Sequence, residues 1–313
     1  MNSNPLLETN ENGLYCRKAD VYIDPWRPVS KAIITHAHSD HARAGNQYYL
    51  ATHTSKEILK LRLGQEIKSE TLDYNRPWTI NGVKFSFHPA GHIVGSAQVR
   101  IEYKGEVWVV SGDFKTEPDN ISEPFELISC DTFISESTFG LPIFQWKPQE
   151  EIFREINNWW LENKNKGLTT LLCGYSLGKA QRLLKNLDQS IGSVFVHGAI
   201  ANVNDALVAN GVSLPAYHRI MPDTPKSSFA GNLILAPPSA LNSPWTRKFK
   251  PLSSGVASGW MNLRGAKKRN AVDRGFILSD HADWNQLNHV IKECGASQVY
   301  ITHGYTAVYS KWL

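Results

Sequence analysis

Short apolar segments separated by turn residues occupy most of the first 140 positions of the chain. A segment in which apolar and polar positions alternate, or an apolar run bounded by glycine and proline, predicts a strand. Lys104-Gly105 separates two such segments and predicts a hairpin. The strands predicted in this part of the chain are 31–35, 83–87, 97–103, 107–110 and 132–135.

Helical periodicity appears after about residue 140, where apolar positions recur every three or four residues in 149–164. Pro148 before this segment and Gly167 after it are typical helix boundaries. Two further helices are predicted at 177–187 and 204–210, and strands at 168–173, 193–196 and 233–236. Strands that alternate with helices predict a parallel α/β layer. The last predicted elements are a strand at 275–278, a helix at 284–293, a strand at 299–302 and a helix beginning at Thr306.

Composition excludes several classes of protein. The 313 residues include 33 Lys and Arg against 29 Asp and Glu, and 42% are hydrophobic, as in ordinary globular proteins. The four cysteines form no CxxC pair, which excludes a cysteine zinc knuckle and argues against a disulfide framework. The N-terminal segment lacks the pattern of a signal peptide, and no apolar run is long enough to span a membrane. These features predict a cytoplasmic protein with no membrane partner.

Histidines are concentrated in the segment His36-Ala37-His38-Ser39-Asp40-His41, which directly follows a predicted strand. Three imidazoles and one carboxylate within six residues converge only if the backbone turns sharply. Neutral imidazole and carboxylate are ligands that zinc and manganese accept. Four ligand groups are more than one ion easily takes from one segment, so the spacing indicates two adjacent ions.

Other candidate ligands follow other predicted strands. His92 comes after Ala90-Gly91 and Asp113 after Ser111-Gly112, where small residues let the backbone approach an ion closely. Taken alone, each of these residues is more often part of a turn than a ligand. The segments 279–283 and 302–304 place His281 and His303 in polar turns near the C-terminus. The sequence therefore predicts a site assembled where several strands end.

The histidine segment, followed in order by His92, Asp113 and His303, resembles the metallo-β-lactamase superfamily. Three further motifs resemble those of the β-CASP nucleases: Ser135-Glu136-Ser137-Thr138-Phe139, Ser279-Asp280-His281-Ala282-Asp283 and Thr302-His303-Gly304. Ser258-Gly259-Trp260-Met261, Arg264-Gly265 and the segment 275–284 are similar to the bacterial DNA-ligase-associated exonucleases. The resemblance implies an α/β fold, namely an αββα metallo-β-lactamase sandwich with an inserted α/β β-CASP domain. The implied boundaries are 1–140 and 276–313 for the sandwich and 141–275 for the insert.

The resemblance also implies which residues hold metal ions. One ion would be held by His36, His38 and His92, a second by Asp40, His41 and His303, and Asp113 would bridge both. The ions would be two divalent metals, zinc first and manganese as the alternative. A hydroxide shared by the two ions would attack a phosphodiester bond.

Three more residues receive roles from the same resemblance. His281 would protonate the leaving oxygen, and Glu136 would orient His281 and favour its protonated form. Asp24, in Tyr22-Ile23-Asp24-Pro25, would support a metal ligand. For Asp24, an ordinary turn role before proline is equally compatible with the sequence.

Candidate substrate-binding residues lie in the middle of the chain. Ser176 and Lys179 flank the predicted start of a helix, where free N–H groups bind phosphate, although Ser176 is equally suited to cap that helix. His197 ends a predicted strand, and both a substrate contact and a structural role fit that position. Residues 245–275 contain eight basic residues and one acidic residue, together with Trp245 and Trp260. Cations interleaved with aromatic side chains are typical of a single-strand-binding groove, and Arg264 and Trp260 are its candidate contacts.

These features support a hydrolase, a two-metal phosphodiesterase that acts as a DNA exonuclease in DNA repair or end processing. DNA as a single strand or an end is the expected partner, with functional association with an ATP-dependent DNA ligase and a helicase. An RNA-processing β-CASP ribonuclease is the alternative, since the chemistry is the same. A lactonase or thioesterase on the same fold is a second alternative, against which Glu136, His281 and the long insert argue.

Overall fold

The structure is a computed structural model and describes residues 5–313. The chain forms two compact units, and each is described by itself. The first unit contains the residues up to Pro118 together with 122–143 and 281–313, and the second contains 119–121 and 144–280. The assignment of 1–140 and 276–313 to a metallo-β-lactamase sandwich, and of 141–275 to a β-CASP insert, stays a prediction.

The first sheet of the first unit has six strands in sequential order. Each neighbouring pair among the first three strands is antiparallel, and each neighbouring pair from the third to the sixth strand is parallel. The strands are β1 Glu8–Asn10, β2 Gly13–Cys16, β3 Val21–Ile23, β4 Lys31–Ile33, β5 Tyr48–Thr52 and β6 Ser69–Leu72. Helix α1, Lys56–Leu63, lies between β5 and β6 in sequence.

The second sheet also has six strands, in the order β18-β11-β10-β9-β8-β7. Strands β7 to β10 form an antiparallel meander, whereas β10, β11 and β18 are parallel. The strands are β7 Trp78–Ile80, β8 Val83–Pro89, β9 Ala97–Tyr103, β10 Glu106–Val110, β11 Thr132–Glu136 and β18 Gln298–Thr302. Helices α6, Trp284–Glu293, and α7, Thr306–Trp312, belong to the same unit.

Alternating side chains of the second sheet bury two separate cores. Trp108 and Val110 of β10 join a cluster that includes Ile23, Ile33 and Leu50 of the first sheet. The intervening Val109 joins a second cluster that contains residues of α6 and α7. Successive side chains of β10 thus point to opposite faces of the second sheet, and both faces are buried. The second sheet therefore lies between the first sheet and the helices.

The second unit contains a parallel six-stranded sheet in the order β14-β13-β15-β12-β16-β17. Its strands are β12 Thr169–Cys173, β13 Val194–Val196, β14 His218–Arg219, β15 Leu233–Ala236, β16 Leu252–Ala257 and β17 Arg274–Phe276. Its helices are α2 Gln149–Asn165, α3 Lys179–Asn186, α4 Gly198–Ala209 and α5 Ala266–Arg269. Short 3-10 segments lie at Lys226–Ser228, Pro238–Ala240, Pro244–Phe249 and Gly259–Asn262, and one in the first unit at His53–Ser55. The parallel α/β layer predicted for this part of the chain is confirmed.

The apolar side of α2 packs on this parallel sheet. Ile156 and Trp160 of the helix are fully buried with Leu172 and Leu235 of the sheet in one cluster. The predicted apolar stripe of 149–164 is therefore the face that enters the core. Among residues 5–313, no helix is long and apolar enough to cross a membrane.

Candidate metal centre

The histidine segment forms a tight turn directly after β4. The guanidinium of Arg62, in α1, donates a hydrogen bond to the carbonyl of Ala37, between the first two histidines. His36 and His41 are buried, His38 is half-buried, and Asp40 is largely exposed. The turn therefore presents its imidazoles inward and its carboxylate toward solvent.

Glycines allow the other two strand ends to approach this turn closely. Gly91, before His92, has a φ of +72°, and a Cβ there would lie 2.1 Å from the carbonyl oxygen of Lys115. Gly112, before Asp113, has a φ of +57°, and a Cβ there would lie 2.8 Å from Thr35. Only glycine fits both the backbone conformation and the space at these two positions.

Three imidazoles from two segments converge on the carboxylate of Asp113. Its Oδ2 lies 3.5 Å from Nε2 of His36, 3.4 Å from Nε2 of His41 and 3.8 Å from Nε2 of His92. His92 Nε2 in turn lies 3.1 Å from Nδ1 of His38. His36, His38, His92 and Asp113 form a group whose ligand atoms all lie within 4.8 Å of one another, so the structure brings the first predicted ligand set together around Asp113.

The hydrogen bonding of this cluster fits a bound cation. Nε2 of His36, Nε2 of His41 and Oδ1 of Asp113 are buried and have no hydrogen-bond partner. A buried polar atom without a partner costs about 1–3 kcal/mol. Three such atoms in one cluster, all of them metal-ligating types, are explained if a metal ion supplies the missing partner.

The electrostatics of the cluster also suit a cation. Burial, together with neighbouring imidazoles, lowers the pKa of His36 well below its usual value, which keeps this side chain neutral. Burial disfavours the charged form of Asp113, but His41 and His281 outweigh it and hold the pKa of Asp113 well below its usual range. Burial likewise opposes protonation of His41, but Asp113 and Asp24 raise its pKa well above normal. Without a metal, the cluster thus contains an ionised carboxylate at Asp113, a neutral imidazole at His36 and a protonated imidazole at His41, which would release its proton on binding a metal.

The second predicted ligand set is more loosely arranged. Nε2 of His41 lies 3.9 Å from Oδ2 of Asp40, and the His41 ring is stacked on that of His303 with centroids 4.6 Å apart. His303 is exposed and has a φ of +54°. Among the described residues, Asp40, His41 and His303 are not part of a group as compact as the first set. The role of these three residues stays a prediction.

Asp24 lies against the histidine cluster. Its Oδ2 is 2.7 Å from Nδ1 of His41, which leaves Nε2 of that ring directed at Asp113. Thr35 donates to Asp24 from both its backbone N–H and its hydroxyl, at 2.8 and 2.5 Å, and so fixes the carboxylate. Thr35 was not among the predicted site residues. The sequence feature that could have identified it is a threonine at the end of an apolar run, directly before a histidine.

Replacing Asp24 by alanine is expected to weaken zinc binding by about 10- to 100-fold, because the His41 ring loses the group that orients it. Titration of metal-free protein with zinc, followed calorimetrically, measures the change. Asp20→Ala is the matched control, since Asp20 is exposed and its side chain accepts a hydrogen bond only from the Tyr15 hydroxyl among the contacts described. Equal affinities for the Asp24 and Asp20 variants would contradict the supporting role.

Glu136 and His281 form a second carboxylate–imidazole pair beside Asp113. Nδ1 of His281 lies 3.0 and 3.1 Å from the two oxygens of Glu136, and 3.9 Å from Oδ2 of Asp113. Glu136 is buried at the end of β11 and also accepts a hydrogen bond from the Phe114 N–H at 2.7 Å. Its orientation is therefore fixed by the backbone, and it in turn fixes the ring of His281.

Two of the predicted substrate-binding residues, Ser176 and Lys179, lie at the start of α3 in the second unit. The residue before this helix is Gly178, so the expectation that Ser176 caps it is wrong. Lys179 is buried, and its ammonium lies 2.9 Å from Oδ1 of Asp280. Its charge is thus balanced inside the unit, and phosphate binding by Ser176 and Lys179 stays a prediction.

The other three predicted substrate contacts also belong to the second unit. His197 caps α4, because its Nδ1 accepts a hydrogen bond from the Ala199 N–H at 3.0 Å. Trp260 is 38% exposed and lies edge-on to Phe144, and Arg264 is exposed. His197 therefore has a structural role in the helix cap, while Trp260 and Arg264 are accessible. Substrate binding by all three stays a prediction.

Comparison with curated proteins gives a probable DNA ligase, a cleavage and polyadenylation specificity factor subunit and endoribonucleases among the matches. The chain is 28% identical over 305 residues, 96% of its length, to a probable DNA ligase of Opitutus terrae. It is 29% identical over 202 residues to cleavage and polyadenylation specificity factor subunit 3-I of Arabidopsis thaliana, and 34% identical over 122 residues to the endoribonuclease YSH1 of Kluyveromyces lactis. These matches cover 53% and 38% of the chain. The chain spans only 29%, 28% and 16% of the three relatives.

Comparison with solved structures supports the fold. The crystal structure of a protein of unknown function from Enterococcus faecalis matches 87% of the chain and 74% of its own, with a TM-score of 0.60 at 14% identity. No family model matches the chain. The two packed sheets, the order of the motifs and the similarity to these relatives all agree with the resemblance of the chain to the metallo-β-lactamase superfamily, in its β-CASP branch.

Proposed function

We propose that this chain is a metal-dependent phosphodiesterase that degrades DNA from an end. The observation that carries the proposal is the buried cluster around Asp113, with its three unpartnered ligand atoms and the Glu136–His281 pair beside it. A simple structural metal site needs no such second pair. An oriented imidazole next to a candidate metal centre provides what hydrolysis of a phosphodiester requires.

The residues proposed to hold two divalent ions are those of the predicted sets. His36, His38 and His92 would hold the first, Asp40, His41 and His303 the second, and Asp113 would contact both. We expect zinc, because imidazoles predominate among the ligands, and manganese is the alternative. When bound, such ions supply an activated water and neutralise charge on the phosphate.

The protein's own groups complete the reaction. Glu136 accepts the Nδ1 proton of His281, which fixes the ring orientation and favours the protonated form of the ring. The Nε2 proton of His281 is then the one to be donated to the leaving oxygen of the phosphodiester. The main-chain N–H of Phe114 keeps Glu136 in place during this transfer.

The substrate is proposed to be DNA because of how far each similarity extends. The match to the probable DNA ligase runs through 96% of the chain, whereas the two RNA-cleaving relatives named above match 53% and 38%. We therefore propose a role in end processing before ligation, in association with an ATP-dependent DNA ligase and a helicase. Exposed Trp260 and Arg264, in the basic strip at 245–275, are proposed to contact the strand.

The names of the RNA-cleaving relatives support a second candidate, an endoribonuclease. A degradation assay distinguishes the two candidate functions. Its substrates are single-stranded DNA and RNA of the same sequence, labelled at either end and carrying a 5′-phosphate or a 5′-hydroxyl. The assay is run with zinc and with manganese. We expect the DNA to shorten progressively from one end. Internal cleavage of RNA alone would establish the ribonuclease instead.

Asp40→Ala serves as the control in these assays, and its loss of activity is expected. Activity that survives this substitution would contradict the two-ion arrangement. Rapid hydrolysis of a lactone or thioester without nuclease activity would instead support an ester hydrolase.

A further inference from the structure

A cavity of about 570 Å³ lies at one end of the two packed sheets of the first unit. Its size is within the range of about 300–1,000 Å³ that is typical of small-ligand sites. Its lining comes from the N-terminal segment, the turn between β2 and β3, and the hairpin of β9 and β10. The lining residues are Pro5, Leu6, Arg17, Lys18, Tyr103, Lys104 and Glu106.

Two ammonium groups flank one aromatic ring in this cavity. Nζ of Lys18 lies 5.8 Å, and Nζ of Lys104 5.5 Å, from the centroid of the Tyr103 ring. Neither lysine forms an ion pair with a described residue. The nearby carboxylates are already engaged, Glu8 with Arg17 at 2.7 Å and Glu106 with the Trp108 indole N–H at 2.6 Å. The cavity therefore presents two cations that no described carboxylate pairs with.

The backbone of the hairpin tip gives an independent reason to consider Lys104 functional. Lys104 and Gly105 have φ values of +52° and +86°, as in the two-residue turns that prefer Asn, Asp or Gly at the first position. A lysine in this conformation is disfavoured, because its Cβ crowds the backbone. A lysine at this position places an ammonium beside Tyr103, whereas Asn, Asp or Gly would place no cation there.

We propose that this cavity binds one nucleotide of the single-stranded DNA substrate, at a distance from the bond that is cut. This rests on the proposed function. A phosphate would lie between the ammoniums of Lys18 and Lys104, and its base would stack on Tyr103. Lysine cations for the backbone and an aromatic ring for a base are the two components of single-strand binding sites.

The strand that lines the cavity also leads to the candidate metal centre. Glu106 begins β10 at the cavity, and Asp113 follows seven residues later, after β10 has ended. At about 3.3 Å per residue the two positions are at most about 23 Å apart. One DNA strand of moderate length can therefore contact both, which favours a substrate strand over a free nucleotide as the occupant.

The test is binding of a 20-nucleotide thymidine oligomer, followed by fluorescence anisotropy in EDTA at several salt concentrations. The double variant Lys18→Glu/Lys104→Glu is expected to bind at least about tenfold more weakly at low salt. The slope of log K against log salt should fall by about 0.7, which corresponds to the loss of the one phosphate held between the two lysines. Tyr103→Ala should weaken binding about tenfold, and Tyr103→Phe should restore it.

Lys31→Glu/Lys68→Glu is the matched control, because it makes the same charge change at two other exposed lysines of the first unit. Equal affinity and slope for the two double variants would overturn the proposal. Displacement of the oligomer by thymidine 5′-monophosphate from wild type but not from the cavity variant would show a free-nucleotide site, and would also overturn it. Binding in EDTA needs no hydrolysis, so a failure to detect nuclease activity counts against the proposed function alone.

Discussion

Replacing Asp113 by alanine should abolish hydrolysis and metal retention together. Its Oδ2 lies within 3.8 Å of imidazole nitrogens of His36, His41 and His92. Loss of this carboxylate removes the negative charge that would hold a cation among these imidazoles. If the ions contribute about 4 kcal/mol to stabilising the transition state, the rate falls about a thousandfold.

The measurement is metal content by elemental analysis, together with the rate of degradation of end-labelled single-stranded DNA. Asp73→Ala is the control, because Asp73 is an exposed carboxylate of the same unit. The control should keep both metal and activity. A variant at Asp113 that retains full metal content and the wild-type rate would show that the cluster is not the reaction centre.

Replacing Asp280 by alanine should lower the free energy of unfolding by about 3–5 kcal/mol. Its Oδ1 lies 2.9 Å from the ammonium of Lys179 and 3.3 Å from the guanidinium of Arg182, and all three side chains are buried in the second unit. Arg182 is further held by Gln149, whose Oε1 accepts from Nε and Nη2 at 3.1 and 2.9 Å. Without Asp280, the two buried cations would lose the carboxylate that both of them contact.

Urea denaturation followed by tryptophan fluorescence measures this loss of stability. Asp205→Ala provides the comparison, since Asp205 pairs with Arg219 at the surface of the same unit, where an ion pair contributes less than about 1 kcal/mol. Similar unfolding midpoints for the two variants would show that the buried cluster does not stabilise this unit.

Elements with strong local patterns were predicted well from the sequence. The strand pairing of 97–103 with 106–110 and the helix at 284–293 match the predicted segments to within one residue. In these segments, alternation or helical spacing coincides with clear boundary residues, such as Lys104-Gly105 in the hairpin turn. The periodicity of apolar positions is enough to predict an element when the side that is buried in the structure is also its apolar side.

Elements whose boundaries depend on a single contact were predicted less well. Helix α4 begins at Gly198 rather than Asn204, because the ring of His197 caps it. Helix α3 begins at Lys179 rather than at 177, because Gly178 has a φ of +92° and cannot be helical. Helix α1, Lys56–Leu63, was not predicted at all, since only Ile58 and Leu59 of its residues are buried and its apolar pattern is weak.

The same distinction applies to the candidate site. The density of histidines at 36–41 made that segment visible, and the structure places three of the predicted ligands around Asp113. In contrast, no local pattern pairs Lys179 with Asp280, which is about 100 positions away in the chain. A lysine that the sequence suggests for substrate binding can thus be paired with a carboxylate that is distant in the chain. Only the three-dimensional structure shows such a pair.

The first unit is divided along the chain, and this division has a consequence for protein synthesis. Asp113 precedes the whole of 144–280, whereas His281 and His303 follow it. After Asp113, the ribosome adds 190 residues up to and including His303. At about 5–20 residues per second, this takes roughly 10–40 s. During that interval the nascent chain lacks the proposed proton donor and one proposed ligand, so the proposed site is completed only after the second unit has been translated.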